Sequence, residues 1–208
     1  GIYATQQMYL SDIQQDNAQE YLEKIYLGED IDALEQPENI LNPLNIFQSD
    51  IPVFDMLQDF TVIDQVQRIE EYKPSVFGLL EIPEINVNQY VVSGTDDLSL
   101  QFGPGYYLGT NLPGSGGNVG IAGHRTTYGA PFSQLDLVEI GDEILLTVGS
   151  NKYHYKVDEV EIVDAVSGSY VLYNRGDDRI TLTTCHPKYS ARQRLVVSGI
   201  LHRIESGN

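Results

Sequence analysis

The chain has a single cysteine, Cys185, in 208 residues. One thiol cannot close an internal disulfide, and structural zinc sites draw on several Cys or His close together, so Cys185 is either a buried apolar residue or a reactive one. Positive charge is scarce as well: 12 Lys and Arg stand against 30 Asp and Glu, a formal net charge of -18. A surface this acidic repels phosphate backbones and anionic headgroups, which argues against nucleic acid and charge-driven membrane binding and points to neutral or cationic partners. Long apolar runs are also missing. No stretch approaches the roughly 18 to 20 apolar residues that cross a bilayer, and the N-terminus has no basic segment followed by an apolar one. The chain as given reads as soluble, and any membrane tether is absent from it. It holds no internal repeat.

What is present is 41% hydrophobic residues and 19 glycines, enough for one domain with a real core plus an appendage. The acidity is uneven. Residues 1–75 hold 15 acidic and 3 basic side chains, whereas 76–208 hold 15 and 9. In the first segment Leu10, Ile13, Ala18, Tyr21, Leu22 and Ile25 recur at spacings of three and four, which predicts an amphipathic helix that Gly28 stops. Residues 29–53 are acidic and interrupted by Pro37, Pro43 and Pro52, the texture of an extended linker, and a second helical stretch is expected from Phe54 to about Tyr72. From Val76 onward the texture changes to short apolar runs punctuated by Gly and Pro. The runs FGLLEIPEI, INVNQYVVSG, GGNVGIAGH, DEILLTVG, KYHYKVDEVEIVDA, RITLTTC and RLVVSGILHRI read as strands. Seven or eight strands in about 130 residues imply a mainly β fold, a closed barrel or a sandwich, preceded by a partly helical arm.

Three residues sit where a rigid strand would present them. His124 ends the apolar run NVGIAGH, Cys185 ends RITLTTC, and Arg194 opens RLVV. Strand termini are where scaffolds usually hold reacting groups. A thiol nucleophile needs a proton acceptor and donor beside it, and thioester chemistry needs positive charge or N–H groups where the oxyanion develops; His and Arg supply those roles. Each residue alone has a plainer reading, as a surface histidine, a buried thiol and a rim arginine.

The run TLTTC at 181–185, an Arg nine residues later opening RLVV, and a GHR histidine about sixty residues upstream resemble the sortase family of cysteine transpeptidases. The similarity covers roughly residues 76–204. Within the family, GPGYYLGTNLPGSGGNVGIAGHRTTYGAPF and TLTTCHPKYSARQRLVV are most similar to the class E branch. The resemblance implies a closed eight-stranded sortase-type β-barrel with short helices as the catalytic domain over 76–208, and an acidic arm or stalk over 1–75. It implies Cys185 as nucleophile, His124 as its acid/base partner and Arg194 as the group that steadies carbonyl and oxyanion, with Arg192 as a competitor for that last role. It further implies a protein tethered at the outer face of the cell membrane, facing the cell wall. Its partners would be the sorting signal of secreted proteins, cut between Thr and Gly, and an amine of a peptidoglycan precursor or, alternatively, of a pilin lysine. No cofactor and no metal are expected. A thiol titrating near 8.5 and an imidazole near 6.5 hold the thiolate–imidazolium pair as a minority form at neutral pH, so slow turnover is expected.

By the same resemblance, the stretch Asp164 to Asp178 shapes the peptide groove. Tyr107 matches a tyrosine linked to accepting Ala where other classes prefer Pro, so a Leu-Ala-X-Thr-Gly-like signal is expected over Leu-Pro-X-Thr-Gly. Thr183 and Thr184 flank the thiol and could offer donors to the peptide. His186 adjoins the nucleophile, but adjacent strand residues face opposite ways. The acidic pairs Asp96-Asp97, Asp142-Glu143 and Asp177-Asp178 read as solvated loop charges. The arm admits a stalk, a lid or an interaction module; Asn42-Pro43-Leu44 lacks the acid and the ring of a lid, which favours a stalk or a packed appendage. A non-catalytic peptide-binding barrel would explain the strands and tyrosines but not the order of Cys, His and Arg, and the Ser-His-Gly-Cys element of an L,D-transpeptidase is missing.

Overall fold

A computed structural model describes residues 16–29 and 74–207. The second helical stretch expected from Phe54, and all of the expected linker except Glu29, lie outside the described residues. From Pro74 the chain forms eight strands: β1 (Val76–Ile82), β2 (Val87–Ser93), β3 (Gly105–Tyr106), β4 (Asn118–Ala122), β5 (Glu143–Val148), β6 (Asn151–Asp164), β7 (Arg179–His186) and β8 (Gln193–Ser206). Their order around a closed barrel is β1-β2-β3-β4-β7-β8-β6-β5, and β5 pairs with β1 to complete it. Most pairs are antiparallel; β2 with β3 and β4 with β7 run parallel.

Alternation decides which side chains fill the barrel. Leu80 and Ile82, Ile144 and Leu146, Ile180 and Leu182, and Leu195 and Val197 all point inward and join one buried cluster. Eight strands enclose an interior just wide enough to be filled by side chains, and each aliphatic group buried there contributes about 1.5–3 kcal/mol relative to exposure. The core is therefore central, and the opposite face of each strand is free to carry function.

The first expected strand stops sooner than its apolar run suggests. Proline cannot donate to a ladder, and Pro83 opens a 3-10 turn over Pro83–Ile85 that swings the chain into β2. Two elements carried no periodic signal: β3, only two residues long, and a short helix at Asp97–Phe102. That helix is specified by its cap, since the Asp96 carboxylate accepts from the Leu98 and Ser99 amides, each at 3.1 Å. Burial alone would raise the Asp96 carboxyl, but the Ser99 hydroxyl, which donates to it, and these amides together hold it below its usual range.

The described part of the arm is helical over 16–27 and is called α1; Asp97–Phe102 is α2. Gly28, at φ +71°, ends α1 in the left-handed region that favours glycine. Ala18, Tyr21 and Leu22 pack with Val92 of β2 and Phe102 of α2 in a second buried cluster, with Ile25 against it. The described part of the predicted apolar stripe is thus spent on the barrel wall; Leu10 and Ile13 lie outside the described residues. Gln19 fixes the register of the contact: its Oε1 accepts from the Tyr90 amide at 2.6 Å, and its Nε2 donates to the Phe102 carbonyl at 2.8 Å and to the Tyr90 carbonyl at 3.2 Å. One side chain serves backbone groups of both β2 and α2.

Candidate active site

Two ladders bring the sequence-selected residues to one rim. In the antiparallel β7/β8 pair, Cys185 is the register partner of Arg194. In the parallel β4/β7 pair, Ala122 lies opposite Thr183, and the Gly123 amide still donates to the Thr183 carbonyl at 3.1 Å. Cys185 and Arg194 are thus neighbours on adjacent strands about 4.8 Å apart, and alternation puts both on the outer face, because Leu182 and Leu195 fill the barrel. His124 lies two residues past the end of β4, the strand that borders β7 on its other side. All three are half-buried.

The backbone behind His124 is set by a close approach. A Cβ at Gly123 would stand 2.5 Å from the Phe132 ring, so only glycine lets that buried ring pack against the strand end. The His124 ring tilts against Tyr128, with centroids 5.2 Å apart, and its Nε2 is buried without a hydrogen-bond partner among the described residues. Burial lowers the His124 imidazole below its ordinary value, partly offset by the Asp97 carboxylate in the first turn of α2. At neutral pH the ring is a neutral imidazole able to accept a proton. Tyr128 is pushed the other way, held protonated chiefly by burial.

Arg125, the last residue of the GHR tripeptide, has a role that the sequence alone does not assign. Its guanidinium is buried; Nη1 donates to the Cys185 carbonyl at 3.2 Å and to His186 Nδ1 at 3.1 Å, and Nη2 pairs with Asp136 at 2.9 Å. The residue after His124 therefore grips the backbone of Cys185. The only signal in the sequence was adjacency to His124. Thr184 also ties strand ends together. It is buried on the core side, and its hydroxyl donates to the Gly123 carbonyl at 2.7 Å. That hydroxyl is committed to the protein. Arg192 lies outside β8 and is exposed. Arg194 Nη1 donates to the carbonyls of Ala191 (2.9 Å) and Gln193 (3.0 Å), while its Nε and Nη2 make no hydrogen bond among the described residues.

On the same outer face Thr183 meets Tyr107. Thr183 shares a hydrogen bond with the Tyr107 hydroxyl at 2.8 Å. Gly120 lies between them and the loop that precedes β7: a Cβ there would meet Leu172 at 2.8 Å and Tyr107 at 3.0 Å. The loop is fastened by polar contacts the sequence did not advertise. Asn118 Nδ2 donates to the Val171 carbonyl at 2.8 Å, and Thr181 Oγ1 donates to Asn118 Oδ1 at 2.9 Å. A 3-10 turn at Gly168–Leu172 results, seated on Val163 and Val196. The acidic pairs have internal duties: Asp177 and Asp158 hold the buried Arg179, Asp178 accepts from the Gly116 amide at 2.6 Å, and Asp142 accepts from the Glu139 amide at 2.8 Å.

Comparisons with known proteins bear on the family and the fold. Residues 80–202 match the family model of the Sortase domain. The chain is 32% identical over 127 residues to Sortase D of Bacillus subtilis, covering 60% of this chain and 63% of that protein. It is 34% identical over 138 residues to Sortase SrtE1 of Streptomyces coelicolor, covering 59% of this chain and 39% of that one. The chain thus spans less than two thirds of the length of these relatives. Among solved structures, sortase E from Streptomyces avermitilis superposes with a TM-score of 0.58 at 30% identity, over 65% of this chain and 93% of that one.

Proposed function

Since the chain belongs to the sortase family, we propose that it is a cysteine transpeptidase that cuts a Leu-Ala-X-Thr-Gly or Leu-Pro-X-Thr-Gly-like sorting signal between Thr and Gly and passes the acyl part to an amine. The observation that supports this most is the Cys185–Arg194 register pair across β7 and β8, with His124 two residues beyond the end of the neighbouring strand β4. In this reading Cys185 Sγ attacks the Thr carbonyl carbon while His124 takes the thiol proton. The free Nε and Nη2 of Arg194 donate to the oxygen that becomes negative. His124 then gives its proton to the departing Gly amine, leaving a thioester. An incoming amine attacks that thioester, loses its proton to His124, and the thiol is restored.

The groove over Thr183, between Tyr107 and the Leu172 loop, takes the signal residues upstream of Thr. Thr184 and Arg125 position strand ends and do not touch the peptide. The catalytic domain is residues 76–208, and 1–75 is an arm whose α1 seats on the barrel. No described helix is long and apolar enough to cross a membrane. The work belongs outside the cytoplasm, at the membrane face toward the wall, where the family acts.

Intact mass after incubation with a Leu-Ala-X-Thr-Gly peptide, without added amine, tests the reading. A covalent adduct of the peptide through Thr is expected on Cys185 and none on Cys185→Ala. Failure to trap any adduct would sink the assignment.

A further inference from the structure

Ten Lys and Arg lie among the described residues. Six of them, Lys24, Arg125, Lys152, Arg175, Arg179 and Arg203, hold a carboxylate. The other four, Lys156, Lys188, Arg192 and Arg194, meet no carboxylate among the described residues. In a chain with 30 acidic and 12 basic residues, a cation without a carboxylate is the exception, and three of the four follow Cys185 by nine residues or fewer. From Arg179 to Ile204 the sequence has five cations and not one Asp or Glu. Along the sequence, the run without acid is the one that contains the thiol.

Lys188 and Arg192 are exposed on the connection between β7 and β8, whose flanking residues His186 and Gln193 are register partners one position beyond Cys185 and Arg194. The connection leaves on the C-terminal side of the thiol. Tyr107 and Thr183 mark the other side, two residues earlier on the same strand. On the proposed function, which this inference rests on, the acyl group occupies the Thr183 side and the second substrate approaches past Lys188 and Arg192. A simple alkylamine is a cation at neutral pH and is repelled there. An amine with an anionic neighbour is not.

We propose that Lys188 and Arg192 form an anion subsite for the acceptor, so that the amine resolving the thioester is carried by a molecule with a carboxylate or phosphate close to it. The subsite acts by attraction across a few ångströms of solvent and weakens with salt, since the screening length is about 10 Å at 0.1 M.

Two arms test it. The first needs no sorting activity: alkylation of Cys185 by anionic iodoacetate and by neutral iodoacetamide. The net charge of -18 alone would slow iodoacetate. Expected instead is an iodoacetate to iodoacetamide rate ratio above that of a free cysteine peptide, falling about three- to ten-fold in the Lys188→Gln/Arg192→Gln variant and in high salt. Lys156→Gln removes an equally unpaired cation elsewhere and should leave the ratio alone. A wild-type ratio below the free peptide, or one unchanged by the double substitution, overturns the subsite. The second arm offers the acyl-enzyme three amines: Nα-acetyl-lysine, its carboxamide, which lacks the anion, and 6-aminohexyl phosphate. Preference for either anion over the amide, lost in the double variant, supports the proposal, and the stronger of the two identifies carboxylate or phosphate. Equal use of all three overturns it. Absence of any acyl-enzyme indicts the proposed function instead, while the alkylation ratio still decides the subsite.

Discussion

Cys185 and Arg194 face each other as register partners across β7 and β8, so backbone pairing fixes the two residues side by side, and the Ala191 and Gln193 carbonyls hold one end of the guanidinium. Arg194→Lys keeps the charge but loses the planar fork, of which Nη1 is already spent on Ala191 and Gln193. Loss of one oxyanion donor costs about 10²–10³ in kcat. The expected outcome is a fall of that order with an unchanged circular dichroism spectrum, measured by peptide cleavage; full activity would remove Arg194 from the mechanism.

The Tyr107 hydroxyl and Thr183 Oγ1 share one hydrogen bond on the outer face. Tyr107→Phe removes it without emptying the space. A net hydrogen bond is worth about 0.5–1.5 kcal/mol, or roughly two- to ten-fold in kcat/KM. Competition between Leu-Ala-X-Thr-Gly and Leu-Pro-X-Thr-Gly peptides should show the Ala preference narrowing by about that factor. A preference that stays put would detach Tyr107 from selectivity.

His124 carries a pH signature in stability. Its imidazole titrates lower when folded than when unfolded, because burial disfavours the cation. Between those two values the unfolded chain binds more protons, so folding stability is whole above about 6.5 and declines as pH falls through the folded value. Denaturant midpoints followed from pH 7.5 downward should decline less steeply in His124→Gln than in wild type. Parallel declines would count against a desolvated ring.

Gln19 answers backbone groups on both Tyr90 and Phe102. Gln19→Leu keeps the apolar bulk and leaves those groups unmet, at about 1–3 kcal/mol for a buried unsatisfied group. A lower Tm and faster hydrogen exchange at the Tyr90 amide are expected. Unaltered exchange would mean that α1 is not held by this contact.

The barrel was legible because its strands alternate. Ile180 and Leu182 against Thr181 and Thr183 announce one inner and one outer face, and β7 could be placed from them alone. The two-residue β3 has no period to read, and α2 is specified by the single carboxylate of Asp96. At the site, His124, Cys185 and Arg194 were visible as residues at strand ends. Arg125, buried with its Nε unpartnered, was not, because nothing local in GHR says that its guanidinium reaches sixty residues along the chain to the Cys185 carbonyl. Likewise the Asn118–Thr181 bond joins residues 63 apart in sequence. Long-range polar contacts leave no periodic trace.

β4 and β7 run in the same direction, and this has an evolutionary consequence. Two neighbouring parallel strands end at the same rim, so His124 and Cys185, the proposed acid/base and nucleophile, are carried to that rim whatever the length of chain that connects them. The loop from Asp164 to Asp178 can lengthen, shorten or change its side chains and still return to the same register. On the proposed function, specificity can therefore drift by exchange of that loop while the Cys185–His124 pair is inherited unchanged.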